Sequence, residues 1–194
     1  NYGRGDNPDE MQYNYVREAD YISGASIMIR KELWEEIGGF DERYTPAYCE
    51  DSDLCFEVRK HGYKVMYQPF SEVIHYEGVS NGTDVNGDGV KKYQLINNEK
   101  FVEKWKVQLL QQYPTKASQN PFKVRDRGQN KKVILFIDHY VPTWDKDAGS
   151  KTVYSYMMMF KKKGYSVKFL GDNFLLNSPY GDKLQQDGIE VLYG

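Results

Sequence analysis

Apolar runs and helical periodicities alternate along the last third of the chain, and no other feature limits the possible folds as strongly. Lys132-Val133-Ile134-Leu135-Phe136-Ile137-Asp138 reads as a buried strand. A loop follows from Val141-Pro142 to Asp147-Ala148-Gly149-Ser150, then a helix over about 151–163 with Val153, Tyr156, Met157 and Phe160 as its apolar stripe. Residues 164–170 form a second strand, 180–186 a second helix and 188–193 a third strand. A β-α-β-α-β order predicts a parallel, doubly wound sheet, because parallel neighbours need a crossover helix between them.

Upstream, the polar stretch 114–130, with Ser118, Asn120, Pro121, Arg125 and Arg127, has the composition of a linker. It separates residues 1–113 from residues 131–194. The first part is centred on Tyr48-Cys49-Glu50-Asp51-Ser52-Asp53-Leu54, where three carboxylates precede an amphipathic helix bearing Leu54, Cys55 and Val58 and ending near Gly62. Acids at a helix start are favoured by the unpaired amides and the macrodipole, so a solvated cap is one reading of the cluster. Asp53 is expected to be that cap.

The surroundings carry the other reading. Residues 20–30 are β-prone around a Ser23-Gly24-Ala25 run, and small residues in a strand mark the close approach of a ligand or another backbone. A helix over 31–37 stops at Gly38-Gly39-Phe40-Asp41, and short strands are expected over 62–69 and 72–76, the latter ending at His75. A helix over about 90–112 shows Tyr93, Ile96, Phe101, Trp105 and Leu109 as its buried stripe.

This order of motifs, from about Asp20 to Trp105, resembles the acceptor-side half of family-2 glycosyltransferases, which have the GT-A fold. The resemblance includes the later Asn97-Asn98-Glu99-Lys100-Phe101 and Lys104-Trp105. It implies an α/β protein with a partial GT-A mixed sheet and flanking helices. It also implies inverting, metal-dependent transfer of a hexose from a nucleotide-sugar donor to a glycan or lipid-linked acceptor, with Asp51 as base and Glu50 as its partner. Ser23, Gly24, Ala25, Asp53, Tyr48 and Tyr76 would line the acceptor side, with Tyr44 as a further stacking surface. His75 would join the shell of a divalent metal, Mn²⁺ or Mg²⁺, on the diphosphate; imidazole suits the former better. The Asp-x-Asp of that family has no counterpart before Asp20. The expectation is therefore that these residues alone lack the donor site and are inactive. Residues 131–194 resemble the start of a Rossmann-like GT-B transferase of the family-4 kind, with Gly149 and Ser150 in a loop suited to a phosphate. Together the resemblances imply bacterial surface polysaccharide synthesis in the cytoplasm or peripherally at the inner face of the membrane.

Other signals narrow the choice. A net charge of -2 offers no basic excess for nucleic acid, and no apolar run nears the roughly 20 residues of a membrane span. Cys49 and Cys55 suit reduced thiols rather than a zinc site or disulfide framework. Asp84-Val85-Asn86-Gly87-Asp88-Gly89 begins like a calcium loop, but Leu95 stands where its bidentate acid belongs, so 80–88 reads as a loop over the acceptor site. Arg4-Gly5-Asp6 is short enough to arise by chance. The rival from another class is a non-catalytic carbohydrate-binding or scaffolding module, in which the acids only cap a helix.

Overall fold

The computed structural model describes residues 5–76, 89–112, 125, 127–128 and 130–194. The loop expected over 80–88, the calcium-like stretch up to Asp88 and most of the expected linker lie outside the described residues. The chain is mixed α/β and divides into two compact units. One comprises Asn1–Arg17, Tyr67–Ser71 and Phe122–Gly194, and the other Glu18–Met66 and Glu72–Pro121.

The first unit is built on a parallel sheet of β3 (Val133–Asp138), β4 (Ser166–Gly171) and β5 (Glu190–Leu192), hydrogen-bonded in that order. The crossovers are α5 (Ala148–Lys162) and α6 (Tyr180–Gln186). Period-two alternation decides which side chains enter the core. Phe169 pairs with both Phe136 and Val191 across the ladder, and these pack with Val167, Val141, Met157, Leu184 and Ile189. Both helices contribute to this one cluster, so the described residues show a singly wound sheet and not the doubly wound one expected. Sequential strand order with right-handed crossovers places successive helices on the same side. Nor is β3 buried on both faces: Val133, Leu135 and Ile137 point the other way, and Ile137 is 67% exposed. Along β5, by contrast, that opposite face is closed by Arg125, whose Nη2 meets Glu190 Oε2 at 2.5 Å, and by Lys168 on the same carboxylate.

In the second unit, α1 (Lys31–Ile37) ends as expected at Gly38 and Gly39, with φ of 85° and 79° that only glycine adopts freely. Helix α2 (Glu50–Lys60) packs Cys55 and Val58 against Leu33 and Val65. Sheet structure is sparse. Outside the parallel sheet, the chain has only a short two-stranded sheet among the described residues, β1 (Arg17–Glu18) with β2 (Met66–Tyr67), and the strands expected over 20–30 and 72–76 are not formed. Neither segment finds a ladder partner among the described residues, and β-prone side chains alone do not hold a strand. Residues 24–26 turn as a 3₁₀ helix instead, capped by Ser23 Oγ accepting from Ala25 N. The single helix expected over 90–112 is a 3₁₀ turn (Val90–Lys92), α3 (Tyr93–Lys104) and α4 (Lys106–Leu110), broken at Trp105. Its predicted stripe is also revised. Ile96 is 46% exposed, and the fully buried position is Asn97.

Candidate active site

The site is the first turn of α2. The two residues before it, Tyr48 and Cys49, both sit at φ 74°, a left-handed conformation that non-glycine residues rarely adopt. Consecutive strain of this kind persists only where surrounding contacts enforce it. Those contacts come from α3: Asn97 Nδ2 donates to the carbonyls of Tyr44 and Ala47, both at 2.7 Å, and Lys100 Nζ donates to Arg43 O at 2.7 Å. The chain is thus held by its carbonyls just before it turns into Glu50 and Asp51.

Asp51 meets the Ser23-Gly24-Ala25 run. Its Oδ2 accepts from Gly24 N at 2.9 Å, and its Oδ1 accepts from Ser52 N at 2.7 Å and from Ser52 Oγ at 3.3 Å. A Cβ on Gly24 would lie 3.2 Å from Asp51 Cβ, closer than side chains ordinarily pack. The small residue therefore serves close approach, as the sequence suggests, but what approaches is the carboxylate-bearing turn. The negative charge of Asp51 is felt nearby. Burial and then Asp51 raise the Tyr21 hydroxyl, while burial and the three acids push the Cys49 thiol up to about 11. Cys49 is therefore a protonated thiol at neutral pH rather than a nucleophile. Glu50 is half-buried, and its Oε2 has no hydrogen-bond partner among the described residues.

Asp53 faces the other way and is not the cap. The N-cap position is Cys49, which makes no side-chain cap bond. Asp53 is 2% exposed, and its carboxylate is taken up by donors from within the unit. Its Oδ1 accepts from Tyr44 Oη at 2.9 Å and Trp105 Nε1 at 2.7 Å, and its Oδ2 from Lys104 Nζ at 2.8 Å. Lys104 also reaches Asp41 Oδ2 at 3.0 Å and Glu57 Oε1 at 3.1 Å, while Arg43 and Lys60 complete the charge pairing on those two acids. Burial works to raise the Asp41 carboxyl, but the Arg43 amide, Lys104 and the Arg43 side chain outweigh it and hold it at about 2. Tyr44, 1% exposed, is raised by burial and by its bond to Asp53, and it is not available as a stacking surface. Trp105 is buried as its place in the apolar stripe implies, though the stripe says nothing of its bond to Asp53; Asn97 and Lys104 lie outside that stripe and escape a reading that looks only for it. Their signal was present as polar residues at helical spacing beside the aromatics. A cleft of about 340 Å³ opens on this side, lined by Asp41, Asp53, Glu57 and Lys104 among others; Asp51 does not line it.

The remaining expected positions are not drawn into this site. Tyr48 is half-buried, with Lys91 Nζ 4.7 Å from its ring centre. Ala25, His75 and Tyr76 are exposed, and His75 ends no strand. Among the described residues no group of three or more His, Cys, Asp or Glu side chains could hold a metal ion. The carboxylates that do converge close on the Lys104 ammonium instead. This donor set does not fit a divalent cation. In the first unit, Asp147 caps α5 by accepting from Ser150 N at 2.7 Å. That carboxylate occupies the amide that Gly149 and Ser150 were expected to offer a phosphate, and it repels an anion there. No helix among the described residues is long and apolar enough to cross a membrane.

Residues 5–87 match the family described as "Glycosyltransferase like family 2". An N-acetylglucosaminyl-diphospho-decaprenol L-rhamnosyltransferase of Mycobacterium tuberculosis (strain ATCC 25618 / H37Rv) is 38% identical over 68 residues, 35% of this chain and 22% of that protein. Rhamnosyltransferase WbbL of Escherichia coli (strain K12) is 35% identical over 57 residues, 29% of this chain and 21% of its own length. O-antigen biosynthesis protein RfbC of Myxococcus xanthus is 30% identical over 63 residues, 32% of this chain and 5% of that protein. The matched part of the chain thus spans about a fifth or less of these relatives. No solved structure is a significant match. Over residues 5–87, the segment that holds Gly24, Tyr44, Asp51 and Asp53, the chain is similar to family-2 glycosyltransferases.

Proposed function

We propose that this segment is the acceptor-side part of an inverting glycosyltransferase, with Asp51 as the general base. Attack by a sugar hydroxyl on the anomeric carbon requires a carboxylate that takes the proton as the bond forms. The observation that carries the reading is the Asp51 carboxylate on the Gly24 amide. It is fixed in orientation, only partly buried, and placed on a turn whose strain is maintained from α3. Glu50, with one oxygen unpaired among the described residues, would receive an acceptor hydroxyl or steady Asp51. The rhamnosyl transfer named for the relatives makes a nucleotide-linked rhamnose the first donor to try. A lipid-linked diphospho-sugar is correspondingly the first acceptor. Such an acceptor would place the reaction in surface polysaccharide synthesis, with the enzyme in the cytoplasm at the membrane face.

The test is release of nucleoside diphosphate from a panel of nucleotide sugars by the full-length polypeptide carrying these residues, wild type against Asp51→Asn, with Mn²⁺, Mg²⁺ or EDTA present. Turnover that falls by about 10²–10⁴ in Asp51→Asn, the usual range for loss of a general base, is expected. Undiminished turnover would assign the base elsewhere. No turnover and no nucleotide binding with any donor would favour the scaffolding alternative.

A further inference from the structure

Asp51 and Asp53 are two residues apart on one helical turn and so project to nearly opposite sides of α2. Asp51 goes to the Gly24 amide. Asp53 goes to Tyr44, Lys104 and Trp105. The turn is therefore gripped from both flanks, and the two grips share the first turn of α2.

We propose that Lys104 and Trp105 are positioning residues for Asp51, setting the rotation of the α2 first turn through their bonds to Asp53. The proposal rests on Asp51 being the base. Neither residue lies on the Asp51 side of the helix, and their polar atoms are engaged internally. Lys104 Nζ is shared among three carboxylates, and Trp105, 2% exposed, gives its indole N–H to Asp53. A buried carboxylate with three donors permits one orientation, since any rotation leaves a charge or a donor unpaired. Rotation of the turn by some tens of degrees would instead carry the Asp51 carboxylate out of reach of the Gly24 amide. Displacement of a reacting group by about 1 Å costs on the order of 10²-fold in rate. Asn97 acts in the same sense one step earlier, fixing the carbonyls of Tyr44 and Ala47.

The Gly24 amide reports on the grip without any substrate. Amide-resolved hydrogen exchange in the full chain should show Gly24 exchanging about tenfold faster in Lys104→Met, close to wild type in Lys104→Arg, and faster by a smaller factor in Trp105→Phe. Trp105→Phe keeps a ring against Phe56, 5.1 Å away by ring centroids, and carries the test if Lys104→Met does not fold. In the turnover assay the same variants should lower kcat about tenfold while leaving KM within about twofold, as for a group that acts only on the reacting geometry. The proposal is overturned if the variants melt earlier yet leave both Gly24 exchange and kcat unchanged, because the network would then only support the fold. Retained turnover in Asp51→Asn would instead remove the base assignment, and the exchange result would still decide whether the grip exists.

Discussion

The two units are held together by different means. The parallel-sheet unit centres on an apolar cluster, with Phe169, Met157, Leu184, Ile189 and Val141 all excluded from solvent, while its buried Arg125–Glu190 pair lies on the opposite face of the sheet. In the unit that carries Asp51 the small apolar cluster of Leu33, Cys55, Val58 and Val65 is accompanied by a polar network beside the α2 turn: a fully buried asparagine, a buried aspartate, and a lysine shared by three acids. Apolar burial is non-directional and tolerates small shifts. A hydrogen-bonded network accepts one arrangement or few. The turn that has to hold a carboxylate to a fraction of an ångström is thus the one fixed by directional contacts.

Four substitutions and one titration test this contrast. Asp51→Asn should reduce turnover about 10²–10⁴-fold with little change in thermal midpoint, because the amide retains an oxygen for the Gly24 N–H. Phe169→Ala, in the apolar core, should cost about 3–5 kcal/mol in urea unfolding through transfer and cavity terms, with no specific effect at Gly24. Lys104→Met should cost about 2–4 kcal/mol, since it leaves Asp53 buried beside two further acids; an apolar core position of similar exposure would show no comparable charge dependence. Gly24→Ala should be milder, with kcat lowered a few-fold, because Asp51 Cβ must yield by a few tenths of an ångström. The smallest effect concerns pH. Asp41 and Glu57 are depressed in the folded state, so the stability they contribute is complete above about pH 4.5 and is lost as pH falls towards 2. Acid titration of wild type should show that loss, and Lys104→Met should flatten it, because Lys104 is one of its causes. If the acid limb is the same in both proteins, the network contributes less than its geometry implies.

Much of this was legible in the sequence, and the reasons differ by region. The parallel sheet followed from alternation. The helix over 180–186 was located to the residue, and the third strand near 190 was found, because turn glycines punctuate the pattern at Gly164 and Gly188. Winding was not legible, since crossovers of equal length can serve either face. In the other unit the acids and the Ser-Gly-Ala run were both singled out, and Asp51 meets Gly24, but Asp53 was expected as a helix cap on the acceptor side and is buried against Lys104 and Trp105 instead. Charge at a helix start says nothing about which acid faces inward. That depends on Lys104 and Trp105, some fifty residues away in sequence. The segments 20–30 and 72–76 failed as strands because strand formation needs a partner, which propensity does not supply.

The left-handed pair at Tyr48 and Cys49 has a consequence for protein engineering. Glycine at either position would relieve the conformational penalty, and selection for heat resistance alone would enrich it there. The same change would slacken the turn that delivers Glu50 and Asp51. A library sorted once by heat and once by turnover should therefore diverge at residues 48 and 49.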